Sequence, residues 1–179
     1  EKKLAALPSP ALRTDPALLQ YLPPNPRVYG AIPNLNGTLQ QVLALADQQA
    51  GESATFQQWW TSGSGTGLKE ALGKLQAVFP MVGDEIVFTV AAKSTAANAE
   101  RVPVILANVR PNEAEGLKSA LAGLMGLRYQ LVDNLLVASD SAEHVQWAAS
   151  VLGQGASGDF GKEIASRYQQ GVGWLIAVD

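Results

Sequence analysis

From residue 85 onward, β-prone runs occur in pairs, and helical patterns separate the pairs. The order is strand, strand, helix, strand, strand, helix, helix, strand. Hairpins that alternate with helices favour an antiparallel sheet over a parallel one. The sequence therefore predicts an α+β fold, in which an antiparallel sheet built from hairpins carries helices packed mainly on one face. The strand-like runs of the two pairs are 85–91 with 102–109 and 129–132 with 135–138.

Turn and capping residues mark the predicted boundaries of these elements. Asp133-Asn134 between two β-prone runs is typical of a tight hairpin turn. Side-chain oxygens that can accept from the first free backbone amides predict where helices begin. The predicted caps are Asn34 or Asn36, Thr55, Asn112, Asp140 or Ser141, and Asp159. Apolar stripes at helical spacing predict that the helix capped by Asn34 or Asn36 covers 39–46 and that a further helix covers 68–79.

A proline-rich stretch precedes the first predicted strand, which covers 28–32. Residues 1–27 carry Pro8, Pro10, Pro16, Pro23, Pro24 and Pro26, which oppose a continuous helix. This stretch predicts a Pro-rich leader, extended and exposed or laid along the domain, with a short turn at 16–21. An α+β domain is predicted over 28–171.

The last β-prone run suggests that the chain is a segment of a longer protein. The run 171–179 ends without a turn or a cap, and it echoes the aromatic and small-residue pattern of 27–33. Residues 172–179 are therefore predicted to be the first strand of a second repeat, cut short.

Composition excludes several function classes. The chain has 13 Lys and Arg against 16 Asp and Glu, so no basic excess indicates a nucleic-acid partner. Cysteine is absent, which excludes disulfides and thiolate metal sites. The carboxylates form no calcium-loop or clustered pattern, so no metal or cofactor is predicted. No run reaches the roughly 18 apolar residues of a membrane helix, so membrane attachment would need an anchor outside this segment.

His144 is the only histidine and the first candidate for a general base. Asp140 and Glu143 are its neighbours in sequence, and Ser139 or Ser141 would be the nucleophile of a triad. The favoured interpretation is a helix first turn, in which Asp caps, Glu suits the helix dipole and His144 is solvated.

Trp59 and Trp60 are the candidate ligand- or partner-binding residues. Adjacent helical positions point about 100° apart, so one indole is expected to pack inside and the other to be partly exposed. An exposed indole can stack on a sugar or anchor a protein, although packing in the core and between elements is the favoured interpretation of both tryptophans. The loops 61–67 and 93–101 are the other expected contact surfaces. The glycines of 63–67 match no phosphate-binding fingerprint and indicate a flexible connector.

Three stretches together resemble a known family. They are 29–39, Trp59-Trp60 and 133–143, where a strand ending in Pro-Asn-Leu enters a helix and a later hairpin ends in a helix cap. They resemble an uncharacterised family of bacterial extracytoplasmic, membrane-anchored domains of the cell envelope. The resemblance implies location in the periplasm or at the cell surface, and it implies no activity or site residues.

Three functions are left open by the sequence. The first is a non-catalytic extracytoplasmic module, not an enzyme, that binds a protein or an envelope ligand within a larger membrane-anchored protein. The second is a fragment of a hydrolase that uses His144, with the rest of its site beyond this segment. The third is a structural repeat that spaces other domains.

Overall fold

The computed structural model describes residues 12–33, 44, 47–48, 50–62, 73, 76–122, 127–173 and 175–179, without the side chains of residues 33, 55, 56, 59 and 60. Most of the helices predicted over 39–46 and 68–79, and residues 63–67 of the connector 61–67, lie outside the described residues. Asn34 and Asn36, two of the predicted caps, also lie outside them.

The described residues form one antiparallel sheet with helices, which confirms the predicted α+β fold. The strands are β1 (Pro26–Pro33), β2 (Val82–Ala92), β3 (Arg101–Val109), β4 (Arg128–Val132), β5 (Leu135–Ser139) and β6 (Leu175–Val178). The α-helices are α1 (Ala54–Thr61), α2 (Ala114–Ala122), α3 (Ala142–Ser150) and α4 (Asp159–Gln169), and 3-10 turns lie at Leu19–Tyr21 and Phe79–Met81. The strand order across the sheet is β4-β5-β3-β2-β1-β6.

Both predicted hairpins are present. Strands β2 and β3 pair in antiparallel register from Ala92 opposite Arg101, and residues 93–100 connect them. Strands β4 and β5 are joined by Asp133-Asn134, where Asp133 takes a positive φ of 52°. Aspartate tolerates this left-handed conformation better than most residues, which explains its place in the turn.

Alternate residues of each strand point to opposite sides of the sheet, and apolar residues lie on both sides. The inner face packs on α3, α4 and the N-terminal segment, and its buried residues include Tyr29, Val87, Val104, Leu106 and Val137 with Ala148, Ile164 and Tyr168 of the helices. The outer face packs on α2 at the β3–β5 side, through Ala107, Val109 and Leu136 with Leu117 and Leu121. Most of the helical packing is therefore on the inner face, and α2 adds a smaller cluster on the other side.

The described part of the Pro-rich leader lies along the domain. Leu18 and Leu22 are fully buried in the inner core. Arg13 and Val172 exchange backbone hydrogen bonds of 2.9 and 2.8 Å. The predicted turn at 16–21 is present as the 3-10 turn Leu19–Tyr21. This stretch contributes to the core of the domain.

The C-terminal run belongs to the same sheet. Strand β6 pairs antiparallel with β1, with Val178 opposite Val28 and Leu175 opposite Ala31. A second repeat that begins at this strand stays a prediction.

Three predicted helix starts differ from the structure. Helix α2 begins at Ala114, two residues after its predicted cap Asn112, which takes a positive φ of 67°. Helix α4 begins at Asp159 itself, and its N-cap is Gly158, which supplies no side-chain acceptor. Asp159 instead lies in the first turn and pairs with Lys162. Helix α1 begins at Ala54, one residue before its predicted cap Thr55. The N-cap of α3 is Ser141 rather than Asp140, and the Ser141 hydroxyl accepts from the backbone amide of His144.

Candidate functional site

His144 lies between two carboxylates. Its Nδ1 is 2.6 Å from Oδ1 of Asp140, and its Nε2 is 2.6 Å from Oε1 of Glu100. Asp140 precedes α3, whereas Glu100 closes the loop between β2 and β3. The Ser141 cap orders the first turn of α3 and thereby places the imidazole against that loop. The His144 side chain is only 15% exposed, so protein groups rather than solvent surround most of the ring. The prediction of a solvated histidine is therefore wrong.

Lys93 extends this contact into a network. Its Nζ lies 2.8 Å from Oε2 of Glu100 and 2.9 Å from Oε1 of Glu143. We call the five side chains the clasp: Lys93, Glu100, Asp140, Glu143 and His144. The clasp joins the β2–β3 loop to the first turn of α3, and therefore connects parts of the chain that are distant in sequence.

The charges of the clasp shift the titration of its members in a consistent way. The hydrogen bonds that His144 donates to Glu100 and then to Asp140 raise the pKa of His144. Lys93 and then His144 lower the pKa of Glu100, and His144 lowers the pKa of Asp140. Each carboxylate thus favours the protonated imidazole, since an opposite charge within hydrogen-bond distance stabilises the charged form.

The clasp does not have the geometry of a catalytic triad. A triad places the imidazole between the carboxylate and the hydroxyl, whereas here Asp140 lies between Ser139 and His144. The Ser139 hydroxyl donates to the carbonyl oxygen of Pro103 and lies 3.1 Å from Oδ1 of Asp140. Both imidazole nitrogens face carboxylates. The hydrolase hypothesis would require one of them to exchange its carboxylate for a hydroxyl.

Asp140 and Glu100 also do not share a metal-binding position with His144, because they contact opposite nitrogens of the ring. Among the described residues, no group of three or more His, Asp or Glu side chains is placed to hold a metal ion.

A second polar group, not anticipated from the sequence, is buried under the inner face. Glu85 is only 3% exposed, and its carboxylate accepts from the hydroxyl of Tyr168. The backbone amide of Leu18 donates to its other oxygen at 3.4 Å, and the Tyr29 hydroxyl lies 3.2 Å from that of Tyr168. Burial raises the pKa of both tyrosines. One signal was available in the sequence, because Glu85 alternates with the inward-facing Val87 and Thr89.

The outer face is apolar where β2, β1 and β6 lie side by side. Phe88, Gly30 and Ile176 form one row across the three strands, and Val90, Val28 and Val178 form the next. Ile176 is 80% exposed, Val178 73% and Phe88 43%. A depression of about 350 Å³ lies among them, bordered chiefly by Val28, Gly30, Ile32, Ile86, Phe88 and Ile176. We call this surface the apolar patch: Val28, Gly30, Ile32, Ile86, Phe88, Val90, Ile176 and Val178.

The two edge strands of the described sheet differ in character. Strand β4 exposes Arg128 and Gln130, whereas β6 exposes Ile176 and Val178. Natural sheets protect their edges with charged side chains, proline or bulges, and the sequence of β6, Leu-Ile-Ala-Val, contains neither charge nor proline.

The register of β6 also shows which of its backbone groups face outward. The Asp179 amide donates to the carbonyl of Arg27 at 3.0 Å, so this opposing pair is hydrogen-bonded. Hydrogen-bonded pairs alternate along an antiparallel ladder, which makes Ala177 opposite Tyr29 the next such pair. The N–H and C=O groups of Ile176 and Val178 therefore point away from β1, toward the side on which no other described strand pairs with β6.

The structure places the two predicted tryptophans without describing their side chains. Trp59 and Trp60 lie on α1, and their role in binding stays a prediction, as does that of the connector 61–67. The other predicted contact loop, 93–101, supplies two members of the clasp.

No family model, curated protein or solved structure matches this chain. The resemblance to extracytoplasmic domains therefore stays a prediction. Among the described helices, none is long and apolar enough to cross a membrane.

Proposed function

We propose that this chain is a non-catalytic partner-binding module of a larger, membrane-anchored extracytoplasmic protein. Its partner is another protein, which presents an extended segment with alternating apolar side chains. The segment adds to the sheet as a strand beside β6. The observation that carries this proposal is the apolar edge of β6, which lacks the protection that the opposite edge strand β4 has. The extracytoplasmic location rests on the family resemblance alone.

Strand addition uses both kinds of group that β6 presents. The outward N–H and C=O groups of Ile176 and Val178 would pair with the backbone of the segment, and this pairing supplies affinity independent of sequence. Alternate side chains of the segment would lie beside Ile176 and Val178 and extend the apolar patch. These contacts select apolar residues at every second position, since side chains of a strand alternate between faces.

The apolar contribution is large enough to support a transient complex. Full burial of one Ile or Val side chain contributes about 1.5 to 3 kcal/mol, and Ile176 and Val178 are largely exposed before binding. Part of this gain offsets the lost translational and rotational freedom and the ordering of the segment. The expected affinity is therefore modest and depends on both side chains.

The first test is the binding of a fluorescent peptide of alternating Val and Thr, followed by fluorescence polarisation. The full chain is expected to bind this peptide and to lose binding when the pairing amides of the peptide are N-methylated, because methylation removes the donors of the ladder. Ile176→Lys, which places a charge on the edge, is expected to abolish binding while the melting temperature is unchanged. Gln130→Lys, the same change at an exposed position of edge strand β4, is expected to bind as the original chain does.

Each other result contradicts the proposal in a different way. Equal binding of the methylated peptide would indicate adhesion to apolar surface rather than strand addition. A dimer in analytical ultracentrifugation that Ile176→Lys dissolves would identify a second copy of the chain as the occupant. A large drop in melting temperature for Ile176→Lys would indicate that the chain itself covers this edge.

A further inference from the structure

The clasp carries an inference that is independent of the β6 edge. A neutral imidazole has one N–H group, so it donates to one partner and presents a lone pair at its other nitrogen. In the clasp both nitrogens lie 2.6 Å from a carboxylate oxygen. A neutral ring would direct its lone pair at one of these oxygens. Only the imidazolium, which donates from both nitrogens, satisfies both contacts.

We propose that the clasp is a proton-operated latch, which holds the β2–β3 loop against α3 while His144 is protonated and releases the loop when His144 loses its proton. The moving parts are the side chain of Glu100 and residues 94–99. The base of the loop stays closed, because the Lys93 amide donates to the carbonyl of Glu100 as part of the hairpin.

The charges around His144 explain why release follows deprotonation. Glu100 faces it from the loop and Asp140 from the turn before α3. Glu143 is its neighbour on α3, and Lys93 pairs with Glu100 and Glu143. With His144 protonated, three carboxylates are balanced by two cations. Without that proton, only Lys93 balances them, and Glu100 and Asp140 repel each other across a neutral ring. The positive end of the α3 dipole opposes the imidazolium, so the two carboxylates must offset it.

The latch is closed over a defined range of pH. Because the pKa of His144 is raised in the folded chain, its contribution is complete below the ordinary histidine value of about 6.5 and is lost as pH rises through the higher folded value. The pKa values of Glu100 and Asp140 are lowered, so their contribution is lost only when pH falls through those lowered values. The latch is therefore expected to open as pH rises through the folded pKa of His144.

The titration of His144 can be followed directly by NMR, since the chain contains no other histidine. We expect the ring of the full chain to titrate above the ordinary value. Glu100→Gln is expected to shift that pKa downward, because a carboxamide lacks the charge. Glu115→Gln is the matched control, since Glu115 is an exposed carboxylate of α2 that pairs with Lys118 and not with the clasp. It should leave the titration unchanged.

Amide hydrogen exchange tests the movement itself. After correction for the intrinsic pH dependence, the amides of 94–99 are expected to exchange several-fold faster above the measured pKa of His144 than below it. His144→Gln, which cannot change charge, should remove this step. A wild-type pKa at or below the ordinary value, an unchanged pKa in Glu100→Gln, or a loop step that persists in His144→Gln would each overturn the latch.

Discussion

Replacing Tyr168 by Phe is expected to destabilise the fold by about 3 kcal/mol, because it removes the hydroxyl that donates to the buried carboxylate of Glu85. Tyr168 is 1% exposed and Glu85 3%, so water does not readily replace the lost donor. The Leu18 amide, at 3.4 Å, would be the remaining donor to the carboxylate among the hydrogen bonds of the described residues. The cost is thus that of a buried charged group left largely unpaired, which exceeds the loss of one neutral hydrogen bond.

Tyr29→Phe is the matched control for this prediction. It removes a hydroxyl of the same chemistry from the same buried group, but its contact is the Tyr168 hydroxyl at 3.2 Å. The expected loss is about 1 kcal/mol, typical of a hydrogen bond between neutral groups. Urea unfolding of the two variants gives both values. Equal losses would show that the Glu85 carboxylate does not depend on Tyr168.

The elements that could be predicted from the sequence are those determined by neighbouring residues. The Asp133-Asn134 hairpin and the Ser141 cap each depend on a few adjacent positions, and both are present. The α+β class follows in turn, because hairpins that alternate with helices have few ways to bury their apolar faces.

The candidate sites depend on contacts between distant residues, which no local pattern contains. Glu100 and His144 are 44 positions apart, and Glu85 and Tyr168 are 83 apart. The sequence identified His144 and its neighbour Asp140, but a helix cap involves only adjacent residues, so it could not predict the contact with Glu100. Similarly, the burial of Leu18 and Leu22 could not be predicted from the proline content of the leader, since proline restricts the backbone conformation and does not indicate which side chains pack in a core.

The edge of β6 shows the same limit. Its apolar alternation could be read from the sequence, but its position at the side of β1 follows from a pairing between the two ends of the described chain. Once this pairing is known, its register alone determines that the backbone N–H and C=O groups of Ile176 and Val178 point away from β1. The apolar run of β6 is therefore evident in the sequence, its place beside β1 is evident only in the structure, and the second repeat stays a prediction.

The second large effect is expected at a close approach of two backbone segments. A Cβ added at Gly161, in the first turn of α4, would lie 2.3 Å from the carbonyl oxygen of Ala156 and 2.8 Å from its carbonyl carbon. The obstructing atoms are backbone, so they move only if α4 or the preceding turn moves. Gly161→Ala is therefore expected to destabilise the fold by about 2 kcal/mol, since overpacking of this kind outweighs the better helix propensity of alanine.

Gly116→Ala, in helix α2, separates the steric effect from helix propensity. Its added Cβ would lie no closer than 3.5 Å to the Met81 side chain, an ordinary van der Waals contact. Alanine should then stabilise the fold by up to about 1 kcal/mol, because glycine is the poorer helix former. Opposite signs in thermal unfolding of the two variants are the expected result. A neutral or stabilising Gly161→Ala would mean that α4 can withdraw from the 155–156 turn without loss, and that the packing of Ile164 and Tyr168 beneath it tolerates this movement.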